Sequence, residues 1–398
     1  MRLIGTSTKG IRAPIIREGD DLVDFVVNAI LEARQEEGFT LHDKDVVCLT
    51  EAIVARSQGN YASVDDIAED IRRKYPDGEV GLYNPILSRN RFAINLRGIA
   101  RGAKKIILQL TYPNDEVGNA LISIDQLDES GVNPWSDVLT EDDFKNHFGS
   151  LAHPFTGVDY ISYYKEIIQE EGCEAEIIFA NQATEILNYT KHVLTCDVHT
   201  RARTKRILKE AGAKTIYNLE DILSASVNGS GYNEEYGLLG SNKATEERVK
   251  LFPRNCQSYV EQIAEKLLIE TGKHIEVMVY GDGAFKDPVG KIWELADPVV
   301  SPGYTDGLSG LPNEVKLKYL ADNDFADLSG AELDDAVKKV IQKKEGDLKG
   351  NKVSTGTTPR RLTDLIGSLA DLTSGSGDKG TPIVLVQGYF DDWTSSDV

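Results

Sequence analysis

One aspartate of this chain stands where a predicted strand ends, with a glycine on each side. Residues 275–280 form a run of apolar and β-prone side chains that predicts a buried strand, and Gly281, Asp282 and Gly283 make a sharp turn after it. An ionised carboxylate at a strand end, with glycines on both sides, suits a divalent cation held on a substrate phosphate. For one Asp-Gly pair alone, a carboxylate that only shapes the turn is the simpler interpretation.

A second loop of a similar kind lies near the end of the chain. Residues 370–387 run from a predicted helix through a glycine-rich loop into the apolar strand IVLVQ. Such a loop leaves backbone N–H groups uncovered by side chains, and these groups can hold phosphate oxygens. The loop consists of Ser374, Gly375, Ser376, Gly377, Asp378, Lys379, Gly380 and Thr381. Two such loops at strand ends predict a pocket for a phosphorylated ligand.

A basic run, CDVHTRARTKR, follows the predicted strand HVLT. Asp197 and His199 lie two residues apart, on one face if the chain stays extended, and Thr200 can cap the helix that follows. Arg201 and Arg203 fall in the first turn of that helix, where backbone donors add to their charge. One interpretation is an anion pocket for a carboxylate or phosphate, with Asp197 and His199 as acid and base or as metal ligands. The other is a capped helix with a solvated basic face.

Several common nucleotide and nucleophile motifs are absent from the sequence. There is no Walker A pattern, no G-x-S-x-G elbow, and no G-x-G-x-x-G that opens a helix after an early strand. Gly375, Ser376 and Gly377 precede a strand instead, which argues against a dinucleotide-binding unit. The predicted phosphate pocket therefore belongs to a less common scaffold.

Composition excludes some classes of partner and leaves a core-forming globular chain. The 398 residues carry a net charge of −20, from 44 basic and 64 acidic side chains, so we expect no nucleic-acid partner. The four cysteines show no C-x-x-C pair, which argues against a zinc site or a disulfide framework. No window holds eighteen uncharged apolar residues. We therefore expect a soluble, cytoplasmic protein with no membrane partner.

The pattern of elements predicts an α/β (α+β) fold with an inserted domain. Helices are predicted at 22–37, 64–74, 160–170, 200–211, 261–270, 331–344 and 360–372, and strands at 45–50, 104–110, 176–180, 192–195, 214–217 and 275–280. The β-α rhythm between 85 and 228 predicts an inserted, layered α/β domain. Residues 1–84 and 229–398 then form the mixed-sheet core, and residues 6–14 are predicted to be rich in turns.

Five motifs, in order, resemble those of the coenzyme F(420)-0:L-glutamate ligase family. They are GIRAPIIREGDDL with Gly10 and Pro14, VVCLTEAIVARSQG with Arg56, GLLGSN with Ser241 and Asn242, GDGAFKDPVG with Asp282 and Gly283, and the closing glycine loop from Ser374 to Thr381. The resemblance covers residues 1–84 and 229–390, and it implies the fold of that family. It carries nothing onto residues 85–228.

The resemblance also implies an activity and a set of ligands. Enzymes of the family add γ-linked glutamate to a deazaflavin cofactor precursor, with GTP and Mg²⁺ or Mn²⁺. It implies that the nucleotide is held by the residues named in those motifs, with Arg56 at the place of a lysine. Asp282 stands at a metal-binding aspartate, and Asp378 is a candidate for a further metal ligand. The expected substrates are glutamate and a cofactor-like acceptor, and the expected assembly is a homodimer.

Three positions depart from the family pattern. Leu239 and Ser376 stand where the family has acidic metal ligands, and Gly283 stands in place of a threonine. A metal clamp on a nucleotide needs several oxygen ligands. Two hypotheses therefore remain open: a nucleotide- and metal-dependent γ-glutamyl ligase, and a non-catalytic nucleotide- or phosphometabolite-binding protein on the same scaffold.

The inserted region enters these hypotheses in two ways. In the ligase hypothesis, Arg201 and Arg203 meet the carboxylates of the acceptor. In a third hypothesis, residues 85–228 carry the catalytic site themselves and act on a phosphorylated small molecule through Asp197 and His199.

Overall fold

The structure is a computed structural model. It describes residues 4–87, 92–112, 122–153, 157–198, 200–281, 301–344, 348, 351–354, 360–374 and 378–395. The helices are α1 (Leu22–Glu37), α2 (Glu51–Ser57), α3 (Val64–Lys74), α4 (Phe92–Gly102), α5 (Ile124–Ser130), α6 (Glu141–Phe148), α7 (Tyr160–Glu170), α8 (Arg201–Glu210), α9 (Cys256–Thr271), α10 (Leu317–Tyr319), α11 (Gly330–Gln342) and α12 (Leu362–Ser374). The strands are β1 (Ser7–Ile11), β2 (Val46–Thr50), β3 (Tyr61–Ser63), β4 (Glu79–Asn84), β5 (Lys105–Leu110), β6 (Leu139–Thr140), β7 (Glu174–Phe179), β8 (His192–Thr195), β9 (Thr215–Asn218), β10 (Asn242–Thr245), β11 (Arg248–Lys250), β12 (Glu276–Tyr280), β13 (Gly303–Tyr304) and β14 (Ile383–Gln387).

A five-stranded mixed sheet, in the order β1-β14-β2-β12-β13, joins the two ends of the chain. Strands β2 and β12 are parallel, whereas β14 is antiparallel to both β1 and β2. Alternate side chains face opposite layers, as a strand requires. One face packs against α1 and α9, and the other packs against α12. Both faces are apolar, which explains why its central strands read as continuous hydrophobic runs.

A six-stranded sheet, in the order β6-β7-β5-β4-β8-β9, forms a second layered unit. Its strands are parallel except for β6. Helices α3, α4 and α7 cover one face, while α8 and the short 3-10 helix Ala183–Asn188 cover the other. Strand β4 pairs with β5 and β8. A domain boundary at residue 85, as predicted, would put β4 in the core and both of its partner strands in the insert.

A small sheet, β10-β11-β3, connects the two units. Lys250 of β11 forms a buried ion pair with Glu51, the first residue of α2, at 2.7 and 2.9 Å. The Asn60 side chain donates to the Phe252 carbonyl at 2.8 Å, which ties the start of β3 to the segment before α9. These contacts fix the segment after β2 against β11 and the residues that follow it.

The α/β fold class is confirmed, and so are several predicted elements. Helix α1 begins where predicted because Asp21 accepts the Asp24 amide at 3.1 Å, and it ends at Gly38, whose φ of 68° is left-handed. The prediction that residues 6–14 are mostly turn is wrong in part, since β1 pairs with β14. The paired residues of β1 and β14 lie more than 370 positions apart in the sequence, so no local pattern predicts β1. Among the described residues, no helix is both long enough and apolar enough to cross a bilayer.

Candidate functional site

Four chain segments leave the five-stranded sheet at a single edge. Tyr280 at the end of β12 lies beside Thr50 at the end of β2, and Ile383 at the start of β14 lies beside Leu49 and Ile11. Because β2 lies between β12 and β14, the two glycine-containing loops start about 10 Å apart, two strand spacings. The described part of the chain thus brings the ends of both predicted loops to one edge. Asp282 and Gly283 themselves lie outside the described residues.

Hydrogen bonds hold the second half of the closing loop against this edge. The Ala13 amide donates to the Gly380 carbonyl at 3.0 Å, and the Thr50 amide donates to the Pro382 carbonyl at 3.1 Å. The Thr381 hydroxyl donates to the Ser374 carbonyl at 2.8 Å, which closes the loop across its base. Gly380 has a φ of 66°, a conformation that favours glycine. Gly375, Ser376 and Gly377 lie outside the described residues.

A cleft of about 850 Å³ opens beside this loop, between β1 and α1. Four predicted residues line it: Gly10, Pro14, Lys379 and Thr381. Its other polar lining residues are Lys9, Arg12, Glu32, Glu36, Glu37 and Thr373. The volume is in the range of small-molecule sites, and the cations lie on the strand and loop side while the carboxylates lie on the helix side. An anionic group of a ligand is therefore favoured next to the glycine loop.

Arg56 lies on α2, directly after β2, and its side chain is exposed. Its Nε donates to the Ile16 carbonyl at 3.1 Å, and the Gly19 amide donates to the Ser57 carbonyl at 2.9 Å. Arg56 is thereby fixed beside the segment that carries Gly10 and Pro14. The structure places this predicted cation near the edge without placing it among the lining residues of the cleft.

Asn242 is the first residue of β10 in the connecting sheet, and Ser241 directly precedes it. Ser241 is buried, and its hydroxyl exchanges hydrogen bonds with the Asn95 side chain at 3.1 and 3.3 Å. Asn242 pairs across strands with Lys250, the partner of Glu51. Sequence reasoning missed this ion pair. A glutamate directly after the buried strand VVCLT is a signal for Glu51, but nothing local singles out Lys250.

Leu239, at the place of a family metal ligand, is 1% exposed and belongs to the apolar core of the six-stranded unit. Asp378 is exposed at the surface of the closing loop. In the part of the chain that the structure describes, no three His, Cys, Asp or Glu side chains come together as metal ligands would. A complete ligand set around Asp282 and Asp378 therefore stays a prediction.

In the predicted insert, Asp197 holds the start of α8. Its carboxylate accepts the Thr200 amide at 3.1 Å, the Thr200 hydroxyl at 2.6 Å and the Thr204 hydroxyl at 2.5 Å. The prediction that the Thr200 side chain caps α8 is wrong, because the carboxylate three residues earlier takes that role. Arg201 is bound to the Glu220 carboxylate and to the Val198 carbonyl. Arg203 is exposed, and His199 lies outside the described residues.

A smaller cavity of about 220 Å³ lies between residues 232–236 and residues 253–256. The Arg254 guanidinium lies 4.2 Å from the centre of the Tyr232 ring, and Tyr236 and Pro302 also line the cavity. Burial raises the pKa of the Tyr236 phenol, and the nearby Arg201 charge opposes this. The first turn of α8 therefore lies close to a cavity that reaches the segment before β13, the edge partner of β12.

A family model described as F420-0:Gamma-glutamyl ligase matches residues 10–388 of the chain. No curated protein matches the chain. The family match confirms the resemblance read from the five motifs, and it runs from β1 to β14 through the six-stranded unit.

Proposed function

Because the chain belongs to the F420-0:Gamma-glutamyl ligase family, we propose that it joins glutamate to a small acceptor through a γ-glutamyl amide, with a nucleotide and a divalent metal ion. The family is one of ligases, so the finer proposal concerns the nucleotide, the metal and the acceptor. The observation that carries it is the convergence of the closing loop, the end of β1 and the ends of β2 and β12 at one sheet edge.

The residues around the cleft fit the phosphates of a nucleotide. Gly10 lets the closing loop pack closely on β1, since a Cβ there would come 3.0 Å from the Thr381 Cβ and one partner would have to shift by a few tenths of an ångström. Lys379 and Arg12 line the cleft and supply positive charge for a phosphate bound against the loop backbone. When bound, the nucleotide supplies the phosphoryl group that activates a carboxyl group for amide formation.

The chain's own contribution is positioning and charge neutralisation. A phosphate next to a carboxylate concentrates negative charge, and this charge is offset by Lys379, Arg12 and Arg56. Asp282, together with Asp378, is the proposed position for the metal ion. The cavity around Arg254 and Tyr236 is the proposed place of the acceptor, where an arginine held on a tyrosine face offers a fixed cation to a carboxylate.

The direct test is amide formation by the full chain with L-glutamate and a panel of glutamate acceptors, in the presence of GTP and Mn²⁺. We expect a product heavier by one glutamyl residue and release of phosphate in equal amount, both dependent on the metal ion. Lys379→Ala should lower the rate, whereas Lys273→Ala, which removes a half-buried lysine paired with Asp43, should not. The proposal fails if no acceptor gives a nucleotide- and metal-dependent amide.

A second candidate function is nucleotide binding without turnover. The burial of Leu239 in the apolar core favours it, because that position offers no metal ligand. The two candidates differ in how GTP raises the melting temperature. If the protein is a ligase, GTP should raise the melting temperature strongly only with Mg²⁺ or Mn²⁺ present. A ligand stabilises the folded state according to its affinity for that state, and the metal ion sets the affinity for GTP here. A shift of equal size in the presence of a metal chelator supports the binding protein.

A further inference from the structure

A small helical unit, residues 312–354, follows β13 and has a core that stays open on one side. It contains α10 and α11. Among its described residues, only three apolar side chains are buried: Leu320, Val337 and Ile341. A unit of this size is near the limit of about 40 residues below which a chain rarely closes a stable core alone. An apolar ligand can complete such a core.

A hollow of about 820 Å³ opens on this side of the unit, between α11 and the segments 315–328 and 348–353. Every residue that lines it belongs to the described part of the chain. Six of its apolar lining side chains are each partly exposed: Val315, Phe325, Leu328, Val340, Leu348 and Val353. Contiguous exposed apolar side chains mark binding grooves, and this volume lies in the range of small-molecule sites.

Hydrogen bonds fix the wall of the hollow that faces α11. The Lys316 amide donates to the Val353 carbonyl at 2.8 Å, and the Leu348 amide donates to the Asn313 side-chain oxygen at 3.1 Å. The Lys344 ammonium donates to the Asn313 carbonyl at 2.5 Å, which ties the end of α11 to the same wall. Both walls of the hollow are therefore held in place by the unit's own contacts.

One end of the hollow is positively charged. Lys339 and Lys343 lie about one turn apart on the face of α11 that lines it, and Lys344 lines it beside them. Among the described residues, neither Lys339 nor Lys343 has an ion-pair partner. Glu332 and Asp335 line the hollow nearer the start of α11. An anionic group is therefore favoured at the end of the hollow where Lys343 lies.

We propose that this hollow binds an aliphatic amphipathic anion, a carboxylate or phosphate carried on a hydrocarbon chain of medium length. The chain completes the open core beside Phe325 and Val340, and the anionic head meets Lys339 and Lys343. The face of α11 that lines the hollow runs from residue 332 to residue 343, about 16 Å of helix, which accommodates such a chain. The hollow shares no lining residue with the ligase cleft between β1 and α1.

The test is calorimetry with the full chain, with decanoate and decyl phosphate as probes. We expect at least one of them to bind, and the tighter binder identifies the head group. Decanol, which lacks the charge, and acetate, which lacks the chain, should bind more weakly by about tenfold or more.

Two sets of variants locate the site. Lys339→Gln combined with Lys343→Gln should weaken binding of the probe by about tenfold, because both cations that meet the head group are lost. Lys318→Gln combined with Lys338→Gln is the matched control, since it removes the same charge from lysines of the unit that do not line the hollow. Ala336→Phe places a ring in the hollow and should abolish binding of both probes.

Melting temperatures without ligand show that the variants fold, and Lys379→Ala should bind the probe as the parent does, because it changes only the ligase cleft. Binding of neither probe would overturn the proposal, and so would unchanged affinity in both the double lysine variant and Ala336→Phe. Equal affinity for decanol and decanoate would overturn the anionic head. A dimer of the parent protein that Ala336→Phe converts to a monomer, seen by sedimentation, would assign the hollow to a second copy of the chain instead.

Discussion

Gly10 lies on β1 next to Thr381, and a Cβ atom at residue 10 would come 3.0 Å from the Cβ of Thr381 and 3.1 Å from its Cγ2. Closely packed interiors cannot absorb such a contact without a shift of one partner. The Thr381 hydroxyl is bound to the Ser374 carbonyl, and the preceding Gly380 carbonyl is bound to the Ala13 amide. A larger residue at position 10 would therefore displace the loop that borders the cleft.

We expect Gly10→Ala to weaken nucleotide binding by about tenfold or more, because the displaced loop no longer presents its backbone to phosphate. Calorimetry with GTP and Mn²⁺ measures the effect. Gly5→Ala is the matched control, since no atom lies within 4 Å of the added methyl group. Combining Gly10→Ala with Thr381→Gly should recover part of the affinity if the clash is the cause. Equal affinity of Gly10→Ala and Gly5→Ala would contradict this explanation.

We expect Asp197→Ala to destabilise the protein by about 1–2 kcal/mol, because α8 loses its cap and two threonine hydroxyls lose their acceptor. Urea unfolding measures the change, with Asp142→Ala as the control at an exposed position. A structural cap leaves a properly folded variant with most of its ligase activity. Full stability together with complete loss of activity would instead support the earlier hypothesis that Asp197 is an acid or base.

At the scale of elements, Arg101 at the end of α4 links three neighbours. Its guanidinium contacts Glu171 at 2.7 Å, Glu247 at 2.8 Å and Asp65 at 3.0 Å. Glu171 follows α7, Glu247 lies between β10 and β11, and Asp65 is in the first turn of α3. The hydrogen bond from Arg101 holds the pKa of Glu247 below its usual value, against a smaller opposing effect of burial.

This network makes stability depend on pH in a defined direction. Since the Glu247 pKa is lower in the folded state, its contribution is fully present above the unfolded value of about 4.5 and is lost as the pH falls through the folded value. We expect the parent protein to lose stability on acidification below pH of about 4.5 more steeply than Arg101→Met does. Melting temperatures between neutral and acidic pH measure the difference, and parallel curves would contradict the prediction.

Elements with local signals were the predictable ones. Helices at 22–37, 64–74 and 160–170 match their predicted bounds because caps such as Asp21, Ser63 and Asp159 stand at their starts. Strand β1 was missed because its partner β14 is at the other end of the chain. Helix α9 begins at Cys256, five residues before its predicted start, after an asparagine that provides no side-chain cap.

At the scale of the whole molecule, a buried ion pair ties the end of β2 in the five-stranded sheet to the connecting sheet. Glu51 and Lys250 have side chains only 6% and 10% exposed, and two short hydrogen bonds connect them. Glu51 follows β2 of the five-stranded sheet, and Lys250 ends β11 of the connecting sheet. The pair also lies beside Asn242, so it fixes a predicted nucleotide contact relative to the edge where the loops converge.

We expect Glu51→Gln to destabilise the protein by about 3–5 kcal/mol, because it leaves the Lys250 charge buried without its counter-ion. Unfolding in guanidinium chloride measures the change. The double variant Glu51→Gln with Lys250→Met should recover a large part of the loss, since no unpaired charge then remains. If the double variant loses as much free energy of unfolding as the two single variants together, the ion pair does not explain the destabilisation.

Local signals predict the two loops of the candidate site, whereas its contacts between residues far apart in the sequence have no local signal. Glycine-rich turns next to apolar strands are local signals, and the described ends of both loops meet at one edge. The pairing of Lys250 with Glu51 arises only when distant parts of the chain fold together. A sequence alone carries no sign of which distant side chain a buried charge will pair with.

The pairing of β1 with β14 has a consequence for the nascent protein. Ile11 finds its neighbour Ile383 only when almost the entire polypeptide has left the ribosome, whereas the strands of the six-stranded sheet all lie between residues 79 and 218. Contacts so far apart in the chain are slow to form. The strands of the six-stranded sheet can therefore pair with one another during translation, and the cleft beside Gly10 forms last. We expect a chain that stops before residue 383 to keep its middle layers and to lack β14, the strand that pairs with β1 beside the cleft.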